Sequence, residues 1–201
     1  MIFPSRKRSV RFSEKLFAGC GPEDVKGKQS MHATALLREQ IQQAHAFLEA
    51  TMEGVTPEQA HWIPPGIANP LAATYVHAIA SEDLAINQLL KGGSPLYASS
   101  WADKTGISEV QPLTTAEWAR RVRIDLPETR RYAQAVHAAT DAYLATLTDE
   151  DLAKVLDLTG FGLGHMNVAA FLSQVVFGHL DNMCGEISVL KGLQGAKGYP
   201  I

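Results

Sequence analysis

Apolar side chains recur every three or four residues along most of the chain, which is the spacing of one face of an α-helix. The longest such run lies near the end of the sequence, from Asn167 to about Gly192. Its apolar stripe is wide, which is typical of a helix that other helices largely surround. His179 falls within this stripe. A buried imidazole needs a hydrogen-bonding partner or a metal ion, so His179 is the first candidate functional residue.

The same spacing predicts three more long helices. They cover residues 30–52, residues 69–93 and residues 114–147, and Pro127 is expected either to kink the third or to start a new helix. Between the second and third helices, residues 92–113 have no clear period, and a loop of this length is expected to cover a site or to lie at an interface. The sequence therefore predicts an all-α four-helix bundle with a long loop between helices 2 and 3.

Shorter features lie between the long helices. Residues 56–59 and 148–151 each begin with a threonine that can cap a short helical turn, so we expect accessory helices there. Residues 155–166 contain three glycines and predict a loop or a small hairpin.

The first 30 residues differ from the rest. They have no lasting period and carry seven lysines and arginines against three acidic residues. We expect a poorly ordered N-terminal extension at residues 1–30 and one helical domain at residues 31–201. A basic arm for nucleic acid or anionic lipid is a weaker alternative because the run is short, and Met31 is a candidate for the true start.

Composition narrows the function classes. The chain is 46% hydrophobic and 19% charged, as in ordinary globular proteins, and its net charge of −3 argues against a dedicated nucleic-acid binder. No apolar run approaches the roughly 20 residues of a membrane span, and no signal-peptide pattern is present. Cys20 and Cys184 do not make a disulfide framework. We therefore expect a cytoplasmic protein without nucleic-acid or membrane partners.

Two blocks of sequence resemble a known family. The first combines QAHWIP at residues 59–64, NPL at 69–71 and HAIASE at 77–82, and the second is HLDNMCGEI at 179–187. Together they resemble the DinB/YfiT-like four-helix bundles over about residues 31–195. The resemblance implies an up-down-down-up bundle that often forms a homodimer. It also implies a divalent metal, typically zinc or nickel, bound by one histidine of the second helix and two of the last.

Carried onto this chain, the three ligand positions are His77, His179 and Met183, and a glutamine of the family pattern falls on Glu186. Met183 is the departure from the pattern. Residues four apart on a helix share a face and can bind one ion, but a thioether is a soft ligand that suits Cu(I) better than zinc. The resemblance therefore implies a degenerate site, in which the metal is either retained by the two histidines or lost.

Two functions remain open from the sequence, one enzymatic and one not. The first is a metal-dependent enzyme, either a thiol transferase or isomerase acting with low-molecular-weight thiols or a hydrolase, in which Glu82 or His165 carries the proton. The second is a non-catalytic bundle that binds a small molecule or acts as a dimeric structural module, with Met183 as a core residue. A Cu(I) or haem site that involves Met183 is a third and weaker hypothesis.

Two further histidines are assigned ordinary roles. His45 lies beside the apolar stripe of the first helix, where packing or a surface hydrogen bond is expected in preference to a ligand role. His137 is expected to be solvated.

Overall fold

The computed structural model describes residues 32–200. The predicted basic extension at residues 1–30, its boundary with the helical domain and Cys20 lie outside the described residues. The described elements, in chain order, are α1 (Ala33–Met52), α2 (Pro57–Ala60), α3 (Leu71–Asp83, continued by a π-helical segment at Leu84–Leu90), α4 (Ala116–Arg121), α5 (Leu126–Leu144), α6 (Asp149–Leu152), β1 (Val155–Leu158), β2 (Gly164–Asn167), α7 (Val168–Ala170, continued by a π-helical segment at Phe171–Phe177) and α8 (Gly178–Leu193).

The fold is mostly helical, as predicted. It differs from the predicted all-α class in having two short strands, β1 and β2. They pair antiparallel, with Val155 opposite Asn167 and Leu158 opposite Gly164. The hairpin alternative for residues 155–166 is therefore confirmed. Single 3-10 turns occur at Leu96–Ala98 and Thr159–Phe161.

Local signals place the ends of the long helices. The Asn167 side chain accepts a hydrogen bond from the backbone N–H of Ala170 at 2.8 Å, which caps the last helix as its sequence predicts. Pro127 lies in the first turn of α5, where its missing N–H costs nothing, and Asp125 caps that turn. Pro127 therefore starts a new helix rather than kinking an existing one.

The long helices pack around one core. Helix α1 contacts α5 and α8, and α3 contacts the same two helices, so α3 and α8 run alongside each other through the interior. The largest fully buried side chains include Tyr75, Trp118, Tyr132 and Phe171. This packing brings side chains of α1, α3, α5 and α8 into one interior space.

Asp83 ties the long loop to the core. Its buried carboxylate accepts hydrogen bonds from the backbone N–H groups of Leu96 and Tyr97 and from the Tyr132 hydroxyl, at 2.9, 3.1 and 2.7 Å. At its far end the loop returns to α3, where the carbonyl of Pro112 contacts His77. The loop thus lies over one part of α3, as its length suggested.

No helix in residues 32–200 has the length and apolar character needed to cross a membrane.

Candidate functional site

Two imidazoles meet between α3 and α8. The Nε2 atoms of His77 and His179 lie 3.0 Å apart, and the rings are nearly perpendicular. On the other edge of its ring, Nδ1 of His77 lies 2.8 Å from the carbonyl oxygen of Pro112. Because a carbonyl only accepts hydrogen bonds, Nδ1 carries the proton and Nε2 of a neutral His77 presents its lone pair. A metal-ligating histidine is usually oriented by such a carbonyl or carboxylate.

The environment keeps both imidazoles neutral near pH 7. Burial lowers the pKa of His77, although its hydrogen bond to Pro112 and the charge of Glu186 act in the opposite direction. Burial and the neighbouring His77 lower the pKa of His179 to about 4, with the charge of Glu82 partly opposing them. Neutral imidazole is the form that binds metals, so protonation does not block a ligand role at neutral pH.

The separation of the two nitrogens fits a shared ion. Two nitrogens bound to one tetrahedral zinc at about 2.0–2.1 Å are roughly 3.3 Å apart. The observed 3.0 Å is only a few tenths of an ångström shorter. The same distance is also that of an N–H···N hydrogen bond in which His179 donates to His77. The distance between the two nitrogens is therefore compatible with a shared divalent ion and also with a direct hydrogen bond between the rings.

Met183 does not strengthen this donor set. It lies one helical turn beyond His179 on the same face, and it is 7% exposed and part of the apolar core. A neutral thioether is a weak ligand for zinc or nickel. Two imidazoles alone leave a tetrahedral ion with two further positions, which water or a substrate would have to fill.

Glu186 is the exposed carboxylate whose charge acts on His77. It lines a groove of about 700 Å³ together with Asp181, Asn182 and the apolar side chain of Val189. Neither His77 nor His179 lines this groove, so the relation between Glu186 and the imidazole pair is the effect of its charge on His77.

Glu82 makes its hydrogen bonds with residues other than His77, although the two are only five residues apart in the sequence. Five residues along a helix correspond to a rotation of about 140°, which turns Glu82 away from His77. Its side chain is buried in the core, where Oε1 accepts hydrogen bonds from His45 Nε2 at 2.9 Å and from the Thr140 hydroxyl at 2.5 Å. Glu82 is thus hydrogen-bonded to side chains of α1 and α5.

His137 completes a second group of side chains around Glu82. Its ring stacks on that of His45, with centroids 3.8 Å apart and planes 11° apart. Each of the three residues offers one ligand atom, and these atoms lie within 4.8 Å of one another. Within residues 32–200 this is the one such group of three histidine, cysteine or acidic residues, and it could hold a metal ion.

Two polar atoms in this second group lack partners. Oε2 of Glu82 and Nε2 of His137 are buried without a hydrogen bond. Burial lowers the pKa of His137 to about 4, although the charge of Glu82 opposes the shift. Burial raises the pKa of Glu82, but His45, His137 and Thr140 outweigh it and lower that pKa overall. At neutral pH an ionised carboxylate therefore lies beside a neutral imidazole, with one oxygen unused.

The structure confirms the packing alternative expected for His45 and corrects the solvated position expected for His137. His45 is buried and packs on the ring of His137, whereas the Nε2 atom of His137 is buried rather than solvated. A signal was present in the spacing: His45 lies four residues after Ile41 and three before Leu48, which are both fully buried. His137 is related in the same way to Ala133 and Thr140.

His165 lies apart from both groups. It is exposed on β2, opposite Asp157 in the hairpin, and its Nε2 atom is 3.8 Å from a carboxylate oxygen of Asp157. No hydrogen bond or ion pair among the described residues joins it to His77 or His179.

Imidazoles and a carboxylate from four helices thus face the interior of one helical protein, which is where helix bundles build their cofactor and metal sites. The family model of the DinB superfamily matches residues 40–182, and the chain belongs to this superfamily. The predicted resemblance is therefore confirmed. No curated protein matches the chain.

A solved structure shares the fold. It is a crystal structure described as the conserved protein of a locus from Enterococcus faecalis, with a TM-score of 0.68 and 22% sequence identity. The match covers 81% of this chain and 96% of that one. At this identity the likeness concerns the fold alone.

Proposed function

We propose that this chain is a divalent-metal-dependent enzyme of the DinB superfamily, with His77 and His179 as its metal ligands. One observation carries the proposal: two neutral imidazoles from different helices bring their Nε2 atoms to 3.0 Å, and the Pro112 carbonyl holds His77 in the tautomer that a ligand needs. The degenerate third position is Met183. Imidazole is a suitable ligand for zinc and nickel, which are the metals that the family resemblance implies.

The reaction class is transfer or isomerisation of a low-molecular-weight thiol compound, or hydrolysis. A divalent ion bound there would lower the pKa of a water or thiol and so supply a nucleophile at neutral pH. The chain's own part is to hold His77 and His179 neutral by burial and to keep His77 oriented through Pro112. We assign proton transfer to Glu186, because it is exposed on the groove and its charge acts on His77.

The finer architecture belongs to the same proposal. We infer that the four long helices follow the up-down-down-up order of the family, and that the protein is a cytoplasmic homodimer. Both rest on the family relationship.

The alternative is a non-catalytic bundle that has lost the metal and serves as a small-molecule-binding or dimeric structural module. The observation that favours it is the same contact, since a hydrogen bond between His179 and His77 satisfies both rings without an ion. Met183 is then a buried core residue, as its low exposure allows.

Metal content of the untagged protein distinguishes the two functions. We expect about one zinc or nickel per chain at this site, lost in His77→Ala and kept in His32→Ala, whose exposed imidazole belongs to neither group. Elemental mass spectrometry before and after chelation and reloading provides the count. If His77→Ala changes neither the metal content nor the affinity for added zinc, the metal-dependent function is wrong and the non-catalytic bundle is favoured.

A further inference from the structure

We propose that His45, Glu82 and His137 form a second, buried site for a divalent cation of the zinc class, separate from the His77 and His179 pair. The proposal does not depend on the proposed function, because it concerns other residues and helices. Its ligands come from α1, α3 and α5, whereas the first pair comes from α3 and α8.

The unused oxygen of Glu82 is the first argument. A carboxylate that is ionised in the interior must be compensated by hydrogen bonds or by positive charge, since an uncompensated buried charge is costly. Oε1 of Glu82 has two donors, His45 and Thr140, but Oε2 has none. Among the described residues no lysine or arginine pairs with Glu82, and the basic side chain within ion-pair distance of it is the imidazole of His45. A cation bound at Oε2 supplies the missing charge.

The second argument is His137. Its Nε2 atom is buried without a partner, and His137 belongs to the same group of three residues as Glu82, whose ligand atoms lie within 4.8 Å of one another. When the proton of the neutral His137 ring is on Nδ1, its Nε2 atom has a free lone pair and does not hydrogen-bond to the lone pairs of the carboxylate oxygen. Both bind a cation placed between them. In that tautomer one ion would engage both unpartnered atoms of the cluster, Oε2 of Glu82 and Nε2 of His137.

The donor chemistry identifies the class of ion. Two imidazoles and one carboxylate are ligands typical of zinc and of other borderline divalent metals, and they do not suit calcium or magnesium, which prefer oxygen ligands. The Thr140 hydroxyl bonds the carboxylate from outside the cluster and so orients it, as outer hydrogen bonds do in metal sites.

The stacking of the His45 and His137 rings determines which movement an ion needs in order to bind. The planes of His45 and His137 are 11° apart, so an ion lying in the plane of one ring lies out of the plane of the other. Binding through both nitrogens therefore needs one ring to tilt. His137 is the more exposed of the two imidazoles, so we assign the movement to His137. The ion also replaces the proton that joins His45 Nε2 to Glu82 Oε1.

The test uses the full chain with the first pair removed. The double variant His77→Ala/His179→Ala is produced in zinc-supplemented cells, and its zinc content is measured by elemental mass spectrometry. We expect about one zinc per chain. Loading with Co²⁺ is expected to give visible absorption bands that report nitrogen and oxygen ligands.

Three further changes, made in this double variant, assign the ion to the cluster. Glu82→Gln keeps the shape of the side chain but removes its charge, and we expect affinity to fall by more than about 100-fold. Thr140→Val removes only the outer hydrogen bond, with an expected loss of about 10- to 100-fold. Glu39→Gln, an exposed change on α1, is the control and is expected to bind as before.

His137→Leu is included because it removes a proposed ligand and is expected to leave the metal-free protein folded. Replacing a buried, unpaired nitrogen with an apolar group of similar size is close to neutral or stabilising in the metal-free protein. We therefore expect this variant to keep or raise its melting temperature without zinc, and to lose the rise that zinc produces in the parent.

Each outcome separates the two proposals. Zinc in the double variant that Glu82→Gln and His137→Leu abolish supports the buried site, whatever the first pair does. A double variant without zinc, or one whose zinc survives both changes, overturns the buried site. If the wild type then still loses its metal on His77→Ala alone, the proposed function stands while this inference fails.

Discussion

The imidazoles of His45 and His137 stack face to face, with ring centroids 3.8 Å apart, beside the carboxylate of Glu82. The His77 and His179 rings instead meet edge to face. One interior thus holds two imidazole pairs of different geometry, and each pair is placed by contacts between helices distant in the sequence. Burial and the neighbouring imidazole of His45 both disfavour the charged form of His137. They lower its pKa, so His137 is neutral at pH 7.

The metal-free protein is expected to lose stability as the pH falls from about 6.5 to about 4. The folded pKa values of His137 and His179 are each about 4, below the ordinary value of 6.5. In this window the unfolded chain binds more protons than the folded chain, so a lower pH favours unfolding. Each imidazole contributes at most about 1.4 kcal/mol per pH unit to the free energy of unfolding. Urea unfolding between pH 5 and pH 7.5 measures the slope.

The variant His137→Leu removes one of the two depressed imidazoles and should reduce this slope by up to one proton. His32→Ala removes an exposed imidazole and should leave it unchanged. Identical slopes in the wild type and His137→Leu would show that His137 is not a buried neutral group.

Replacing Glu82 is expected to separate the role of its charge from that of its hydrogen bonds. In the metal-free protein, Glu82→Gln keeps an acceptor for His45 and Thr140 and removes a buried charge, so we expect a change within about 1 kcal/mol. Glu82→Leu leaves both donors unpaired in the core, at about 1–3 kcal/mol for each group that finds no new partner. Chemical denaturation gives the two values, with Glu39→Gln as the exposed control.

Equal losses for the two Glu82 variants would contradict this account, because they would mean that the negative charge itself stabilises the metal-free core.

Sequence patterns predicted the helices well because their signals are local. Asn167 at the start of the last helix and Pro127 in the first turn of α5 act through groups within one turn of the chain. The π-helical segments after Asp83 and after Ala170 were not predicted, since they hardly change an apolar pattern of this kind.

The candidate site was predictable only in part, because its contacts are not local. His179 was identified as a histidine within an apolar stripe and His77 through the family resemblance, and their rings meet across 102 residues of sequence. His137 was wrongly expected to be solvated, and the choice between packing and a surface hydrogen bond stayed open for His45, because a polar residue near an apolar stripe can be solvated or buried, depending on its partner. That partner, Glu82, comes from a third helix, and spacing within α1 or α5 contains no information about it.

Restoring an imidazole at the third ligand position is expected to strengthen metal binding. Met183→His places a nitrogen ligand four residues after His179, where the two can bind the same ion. We expect zinc affinity at this site to rise by about 10-fold or more, since imidazole suits zinc better than a thioether does. Competition with a coloured chelator measures the affinity in the Glu82→Gln background, which excludes the buried cluster.

The matched control is Val189→His, an exposed position on the same helix. If Met183→His binds zinc no better than this control, then His77 and His179 do not form part of a metal site.

Asp83 is expected to hold the loop that orients His77. Its carboxylate accepts hydrogen bonds from Leu96, Tyr97 and Tyr132, and the same loop ends at Pro112, whose carbonyl fixes the His77 ring. Asp83→Ala leaves these buried donors unpaired and should cost about 3 kcal/mol or more. Asp141→Ala is the control, because Asp141 pairs with Arg38 at a half-exposed position away from the loop.

The consequence for the site follows from that tether. Amide hydrogen exchange over residues 92–113 should accelerate in Asp83→Ala and not in Asp141→Ala, because loop opening no longer breaks the two hydrogen bonds from Leu96 and Tyr97 to Asp83. Zinc affinity at His77 and His179 should fall by about 10- to 100-fold, as expected when a ligand loses its orienting partner. Faster loop exchange with unchanged zinc affinity would mean that Pro112 does not orient His77 for a metal. Unchanged exchange would mean that Asp83 does not hold the loop.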